Sequence, residues 1–234
     1  VTTTTISQQQ HDAARRRIDA AGLAHRITLV KADYRDLTGS FDKLVSIEMV
    51  EAVGRDNITR FFKTCSDRLK PHGAAFIQAI TIRDQYFRSA ARTRDFLKKY
   101  IFPGSCLLSS NAILQATTAA TDLRLWSMTD IAPHYATTLQ HWRSAFNSRL
   151  PQVKALGFDD RFIRMWDFYF AYCEGAFRAR HVGDVQMLLT KPLCRLAATG
   201  LDFTAPAPDG TDPQPSPPAH TLRTHTPASR GSQA

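Results

Sequence analysis

Short β-branched, apolar runs alternate along this chain with stretches whose apolar residues recur at helical spacing. VTTTTI (Val1–Ile6) reads as a strand, and Ser7 suits a helix N-cap ahead of QQQHDAARRRIDAAG, which stops at Gly22. Ile27–Val30 is a second short strand, and Phe41–Glu48 (FDKLVSIE) a third, entered from the turn Thr38-Gly39-Ser40. Ile58, Phe61, Phe62, Cys65 and Leu69 mark one face of a helix over Asn57–Leu69. Lys70-Pro71-His72-Gly73 then reads as a turn before a buried strand, Ala74–Ile82. The order β-α-β-β-α-β predicts an α/β fold, a doubly wound parallel sheet with helices on both faces. Because the chain opens inside a strand-like run, a preceding segment is expected.

Arg83–Ser110 breaks that rhythm. It is aromatic and basic (Tyr86, Phe87, Phe96, Tyr100, Phe102) and reads as an insertion of the kind that forms a substrate lid. Helices are expected over Asn111–Thr121, Thr137–Leu150 and Asp159–Arg180, with strands at Leu123–Ile131 and Asp184–Lys191. From Thr204 onward the chain holds 7 of its 12 prolines among Ser, Thr, Ala and Gly. Such a composition buries too little apolar surface to fold, so residues 204–234 are expected to be a disordered tail and residues 1–192 the folded domain.

Composition narrows the function. With 43% apolar residues in 234, the chain can bury a sizeable core. Its net charge of +9 is dispersed in short clusters such as Arg15-Arg16-Arg17 and Lys98-Lys99, with no aromatic platform between them, which argues against nucleic acid as a partner. A basic surface does suit an anionic membrane. Four cysteines stand far apart with no Cys-x-x-Cys pair, which argues against a metal site and for a reducing, cytoplasmic compartment. No apolar run reaches 18 residues.

The chemistry gathers just past the Phe41–Glu48 strand, where Glu48 and Glu51 follow its carboxyl end. Ligands of open α/β sheets bind at such ends. Two carboxylates there can meet both a cofactor and a reacting centre, although an exposed loop can be acidic for no further reason.

Five stretches together resemble the cyclopropane-fatty-acyl-phospholipid synthases, a branch of the S-adenosylmethionine-dependent methyltransferases: TTISQQQ (Thr4–Gln10), DYRDLTGSFDKLVSIEMVEAVG (Asp33–Gly54), YIFPGSCL (Tyr100–Leu107), HYATTLQHW (His134–Trp142) and RFIRMWDFYFAYCEGAF (Arg161–Phe177). The resemblance covers about residues 1–192. It implies a Rossmann-like methyltransferase sheet of order 3-2-1-4-5-7-6 with an antiparallel last strand. The strands above then stand as the second to the seventh, and the first, with its glycine-rich cofactor turn, is missing. The resemblance places Thr5, Ile6, Gln10, Tyr34, Arg35 and Ile47 at the S-adenosylmethionine, and gives Glu51, Tyr135, Gln78 and the backbone of Ile80 as holders of a bicarbonate ion that accepts the substrate's proton. Gln78 stands where His is common, and Ala52 where His often follows the Glu; a Gln cannot titrate. Cys173 matches a family cysteine but reads equally as a small core residue. In the aromatic helix Phe162, Trp166 and Tyr169 read as core; His134, beside Tyr135, reads as surface or as a support to that residue.

The activity so implied is methyl transfer to the double bond of unsaturated phospholipid acyl chains, giving a cyclopropane, by an enzyme peripheral to the inner membrane face; homodimerisation is compatible with it. Two alternatives stay open: a methylene- or methyl-branching fatty-acid methyltransferase, and an inactive remnant lacking the cofactor turn.

Overall fold

The computed structural model describes residues 1–195. Strands β1 (Thr2–Thr5) and β2 (Thr28–Lys31) flank helix α1 (Gln8–Ala20) and pair in parallel. Ser7 caps α1, its hydroxyl accepting from the Gln10 N–H. A second sheet has the order β3-β4-β6-β5, from β3 (Phe41–Ile47), β4 (Leu69–Ile82), β5 (Arg124–Asp130) and β6 (Val182–Thr190). β3 and β4 run parallel, while β6 lies antiparallel between β4 and β5. The two sheets reproduce the expected order, and the break falls between β1 and β3, the two strands that order places on either side of its first. Among the described residues β1 pairs with β2 alone and β3 with β4 alone.

Alternation along β4 and β6 divides the core in two. Ala75, Ile77 and Ala79, with Val185, Met187 and Leu189, face Phe61 and Phe62 of α2 (Ile58–Asp67) and Ile113 of α4 (Ser110–Ala120). Ile80 and Val182 face the opposite way, toward Ala136 and Leu139 of α5 (Ala132–Asn147) and Phe170 and Phe177 of α7 (Asp160–Arg178). Helices thus cover both faces of the sheet. The expected insertion holds the short helix α3 (Asp84–Ala90) and a π-helical turn, Leu97–Ile101; α6 (Leu150–Ala155) precedes α7.

Two expectations need correction. Lys70-Pro71-His72-Gly73 is not a turn but part of β4, accommodated by an irregularity between Phe41 and Lys43. Here Gly73 lies so close to the Lys70 and Asp42 carbonyls that a Cβ would stand 3.0 and 3.1 Å from them. Gly73→Ala is therefore expected to cost about 1–3 kcal/mol, read as a lowered urea midpoint. The helix expected at Thr137 begins at Ala132, with Pro133 in its first turn, where the missing N–H costs nothing. The expected tail, 204–234, lies outside the described residues.

Candidate active site

β3 ends at Ile47, and the next residue turns sharply away: Glu48 has φ +50°, rare for a residue with a Cβ. A 3₁₀ turn, Val50–Ala52, follows, anchored by the buried Val50 and by the Cys106 N–H donating to the Glu51 carbonyl. β4 runs on beyond the end of its partner. Its Ile80 N–H, which a longer β3 would have engaged, donates instead to Glu51 Oε1. The other oxygen of Glu51, Oε2, is buried with no partner. Burial pushes the Glu51 carboxyl up to about 7; the Glu48 charge adds to this and the Ile80 hydrogen bond opposes it.

Glu48 accepts two hydrogen bonds. Gln78 Nε2 donates to Oε1 and the Tyr135 hydroxyl to Oε2, each at 2.9 Å. The same Gln78 nitrogen donates to Asp184 Oδ2 at 3.0 Å, and Gln186 Nε2 donates to Gln78 Oε1 at 2.9 Å. The β4–β6 register places Gln78 opposite Gln186 and Ile80 opposite Asp184. Asp184 is fully buried and its Oδ1 has no partner. Burial, then the charges of Glu48, Glu51 and Asp130, raise its carboxyl to about 7 against the opposing Gln78 bond. Burial and next the Glu48 charge push the Tyr135 phenol well above its ordinary range, so it remains a donor.

Glu48 and Glu51 lie at the wall of a cavity of about 400 Å³. The rest of that wall is mainly aromatic and aliphatic, including Phe102, Leu107, Leu139, Tyr169 and Phe177. The inserted segment contributes Leu97, Phe102 and Leu107, in keeping with a lid. Tyr169, read from sequence as core, lines the cavity, while Phe162 and Trp166 pack against one another and their aromatic neighbours. Cys173 also lines it, and burial holds its thiol up at about 12, where it stays protonated and unreactive. His134 is exposed.

The residues expected at the cofactor sit at or just past the carboxyl ends of their strands. The Thr5 hydroxyl donates to Gln10 Oε1 at 2.7 Å. Ile6 and Ile47 are exposed, at 74% and 50%. Tyr34 meets Phe61 edge-on with its hydroxyl buried and unpartnered, and Arg35 forks onto Asp33. The exposed apolar side chains of Ile6 and Ile47 offer surface that an adenosine would cover, and the Tyr34 hydroxyl is a polar group with no partner in the chain. The expected bicarbonate fits less well. Its assigned donors, Tyr135, Gln78 and the Ile80 N–H, each already serve a carboxylate of this chain. Sequence reading placed Glu48 at the strand tip without a partner, and it missed Asp184 and Gln186 altogether.

The strand orders β2-β1 and β3-β4-β6-β5, with β6 antiparallel and helices on both faces, match those on either side of the first strand in a Rossmann-like methyltransferase sheet. Residues 1–187 match the mycolic acid cyclopropane synthetase family, and the chain belongs to it. It is 40% identical over 187 residues to the tuberculostearic acid methyltransferase UfaA1 of Mycobacterium tuberculosis, covering 80% of this chain and 44% of that protein. Identity to the cyclopropane-fatty-acyl-phospholipid synthase of Escherichia coli is 32% over 187 residues, covering 80% and 46%. The chain thus spans less than half the length of these two curated relatives. Among solved structures, the mycolic acid cyclopropane synthase CmaA1 complexed with SAH and CTAB shares the fold with a TM-score of 0.75, at 22% identity over 82% of this chain and 70% of that one.

Proposed function

We propose that this protein transfers a methyl group from S-adenosylmethionine to the double bond of an unsaturated phospholipid acyl chain. The observation that carries this reading is the pairing of an apolar, aromatic cavity with two carboxylates at its wall. An acyl chain needs the first, and a reaction that builds positive charge on carbon needs the second. S-adenosylmethionine supplies an electrophilic methyl group. Thr5, Ile6, Gln10, Tyr34, Arg35 and Ile47 would hold it. The cavity orients the alkene, excludes water that would trap a cation, and presents Glu48 and Glu51 to the developing charge. The net charge of +9 supports work at an anionic membrane surface, and no described helix is long and apolar enough to cross a membrane.

A cyclopropane forms when the new methyl loses a proton and the ring closes. A methylene-branched chain is the second reading, favoured by Gln78: its amide is fixed between Glu48, Asp184 and Gln186 and cannot relay a proton. The test is label transfer from methyl-labelled S-adenosylmethionine to vesicles of unsaturated or of fully saturated phosphatidylglycerol. Label is expected in the unsaturated lipid alone; equal labelling of both would contradict the reading. Mild hydrogenation of the product separates the two outcomes, because the olefin takes up hydrogen and the ring does not.

A further inference from the structure

Glu48 is held in a strained and tightly specified place. A left-handed backbone costs a residue with a side chain about 1–2 kcal/mol, and such strain persists where the surroundings fix it, often at functional sites. Each of its oxygens takes one hydrogen bond from a neutral donor, and both donors are themselves fixed. The Tyr135 ring stacks on Phe177 with centroids 4.7 Å apart. The Gln78 amide is turned with its nitrogen toward Glu48 because its oxygen receives the Gln186 N–H. Neither donor competes for a proton at neutral pH, and each carboxylate oxygen keeps a second lone pair. Glu48 faces the same cavity as Glu51.

We propose that Glu48 is the proton acceptor of the methyl-transfer reaction, on whose reading this inference rests, and that its carboxylate stands where a free bicarbonate would otherwise be required. Two of the donors that would hold such an anion, Tyr135 and Gln78, already hold Glu48, and the third, the Ile80 N–H, holds Glu51. A further anion beside the Glu48 and Glu51 carboxylates would also meet repulsion in a site of low polarity.

The step balances within the chain and its substrates. The alkene's π pair forms the bond to the methyl carbon as the carbon–sulfur bond breaks, its pair staying on sulfur. The adjacent carbon becomes a cation. A C–H bond of the new methyl then breaks, its electron pair closes the ring, and the proton passes to Glu48. Glu48 is half-buried rather than sealed, so the proton returns to solvent as the product leaves.

Glu48→Gly removes the carboxylate at a position whose φ suits glycine, leaving Tyr135 and Gln78 facing a vacated site. Calorimetric titration with sodium formate tests the placement without any turnover. Saturable binding is expected for Glu48→Gly, and none for the unchanged protein, for the isosteric Glu48→Gln, or for Glu48→Gly combined with Tyr135→Phe. Saturable formate binding by the unchanged protein, or none by Glu48→Gly that still melts cooperatively, would overturn the proposal. In turnover, the unchanged protein is expected to run equally fast in carbonate-free buffer and with added bicarbonate. Glu48→Gly should fall about 10²–10⁴-fold and recover in part with formate. Full activity of Glu48→Gly without added anion, or a requirement of the unchanged protein for bicarbonate, would also overturn it. If the unchanged protein transfers no methyl group, the proposed function fails, and the titration still decides where the anion belongs.

Discussion

Glu51→Gln is expected to lower turnover about 10²–10³-fold while leaving the affinity for S-adenosylhomocysteine unchanged. The substitution is nearly isosteric, and the amide oxygen can keep the bond from the Ile80 N–H, so the turn and the end of β4 should hold their shape. What is lost is a negative charge beside the site where the proposed reaction would develop a cation, and the buried, unpartnered Oε2 is the oxygen that would face it. The same group gives a pH signature. Its carboxyl, raised to about 7 by burial, is protonated below that pH and ionised above it. Turnover should therefore rise between pH 6 and pH 8, and Glu51→Gln should flatten that rise. Turnover at pH 6 and 8, with calorimetric affinity for S-adenosylhomocysteine, measures both effects. A variant with unchanged turnover would remove Glu51 from the chemistry.

Stability is expected to run the other way. Asp184 and Glu51 ordinarily titrate at 3.8 and 4.5, and in the fold both are raised to about 7. Between those limits the folded chain holds protons that the unfolded chain has released, so stability falls as pH rises and levels off above about 7. For Asp184 alone the displacement corresponds to a few kcal/mol, roughly 4 at most. Asp184→Asn mimics the protonated acid and can still accept from Gln78 Nε2. Its stability relative to the unchanged protein should rise by roughly 2–3 kcal/mol between pH 5 and pH 8. Groups such as Asp33, held down at about 2 by its Arg35 hydrogen bonds, act oppositely: their contribution is lost only as pH falls below the ordinary carboxylate range. Urea melts at pH 5 and 8 separate these effects, and equal pH slopes for the two proteins would contradict the assignment to Asp184.

Much of this was legible because strands and helices write their own periodicity. Ile58, Phe61, Phe62 and Cys65 mark the buried face of α2 in both sequence and structure, and FDKLVSI is β3. The expected doubly wound α/β sheet, with an antiparallel last strand, is the fold observed. The turn expected at Lys70–Gly73 misled because Pro and Gly are also tolerated at an irregular stretch of strand, and sequence cannot show the partner that makes room for them. The site divided in the same manner. Glu48 and Glu51 stood out as two acids at the tip of an apolar strand. Their partners did not, because the union of Gln78 with Gln186 and Asp184 depends on the register of strands more than a hundred residues apart. One signal was available: Asp184 and Gln186 share a parity in a closing strand whose alternate positions, Val185, Met187 and Leu189, are apolar. Two polar residues on one face of a strand ask what covers them, and here the answer is Gln78.

The most direct test supplies S-adenosylmethionine with a fully deuterated methyl group, together with vesicles of dioleoyl phosphatidylglycerol, and weighs the released fatty acids and headgroups separately by mass spectrometry. The label is expected in the acyl chain, with one deuterium lost from the transferred methyl because the proposed base beside the double bond removes it. Label confined to the headgroup, or an acyl product that keeps all its methyl deuterium, would contradict that expectation.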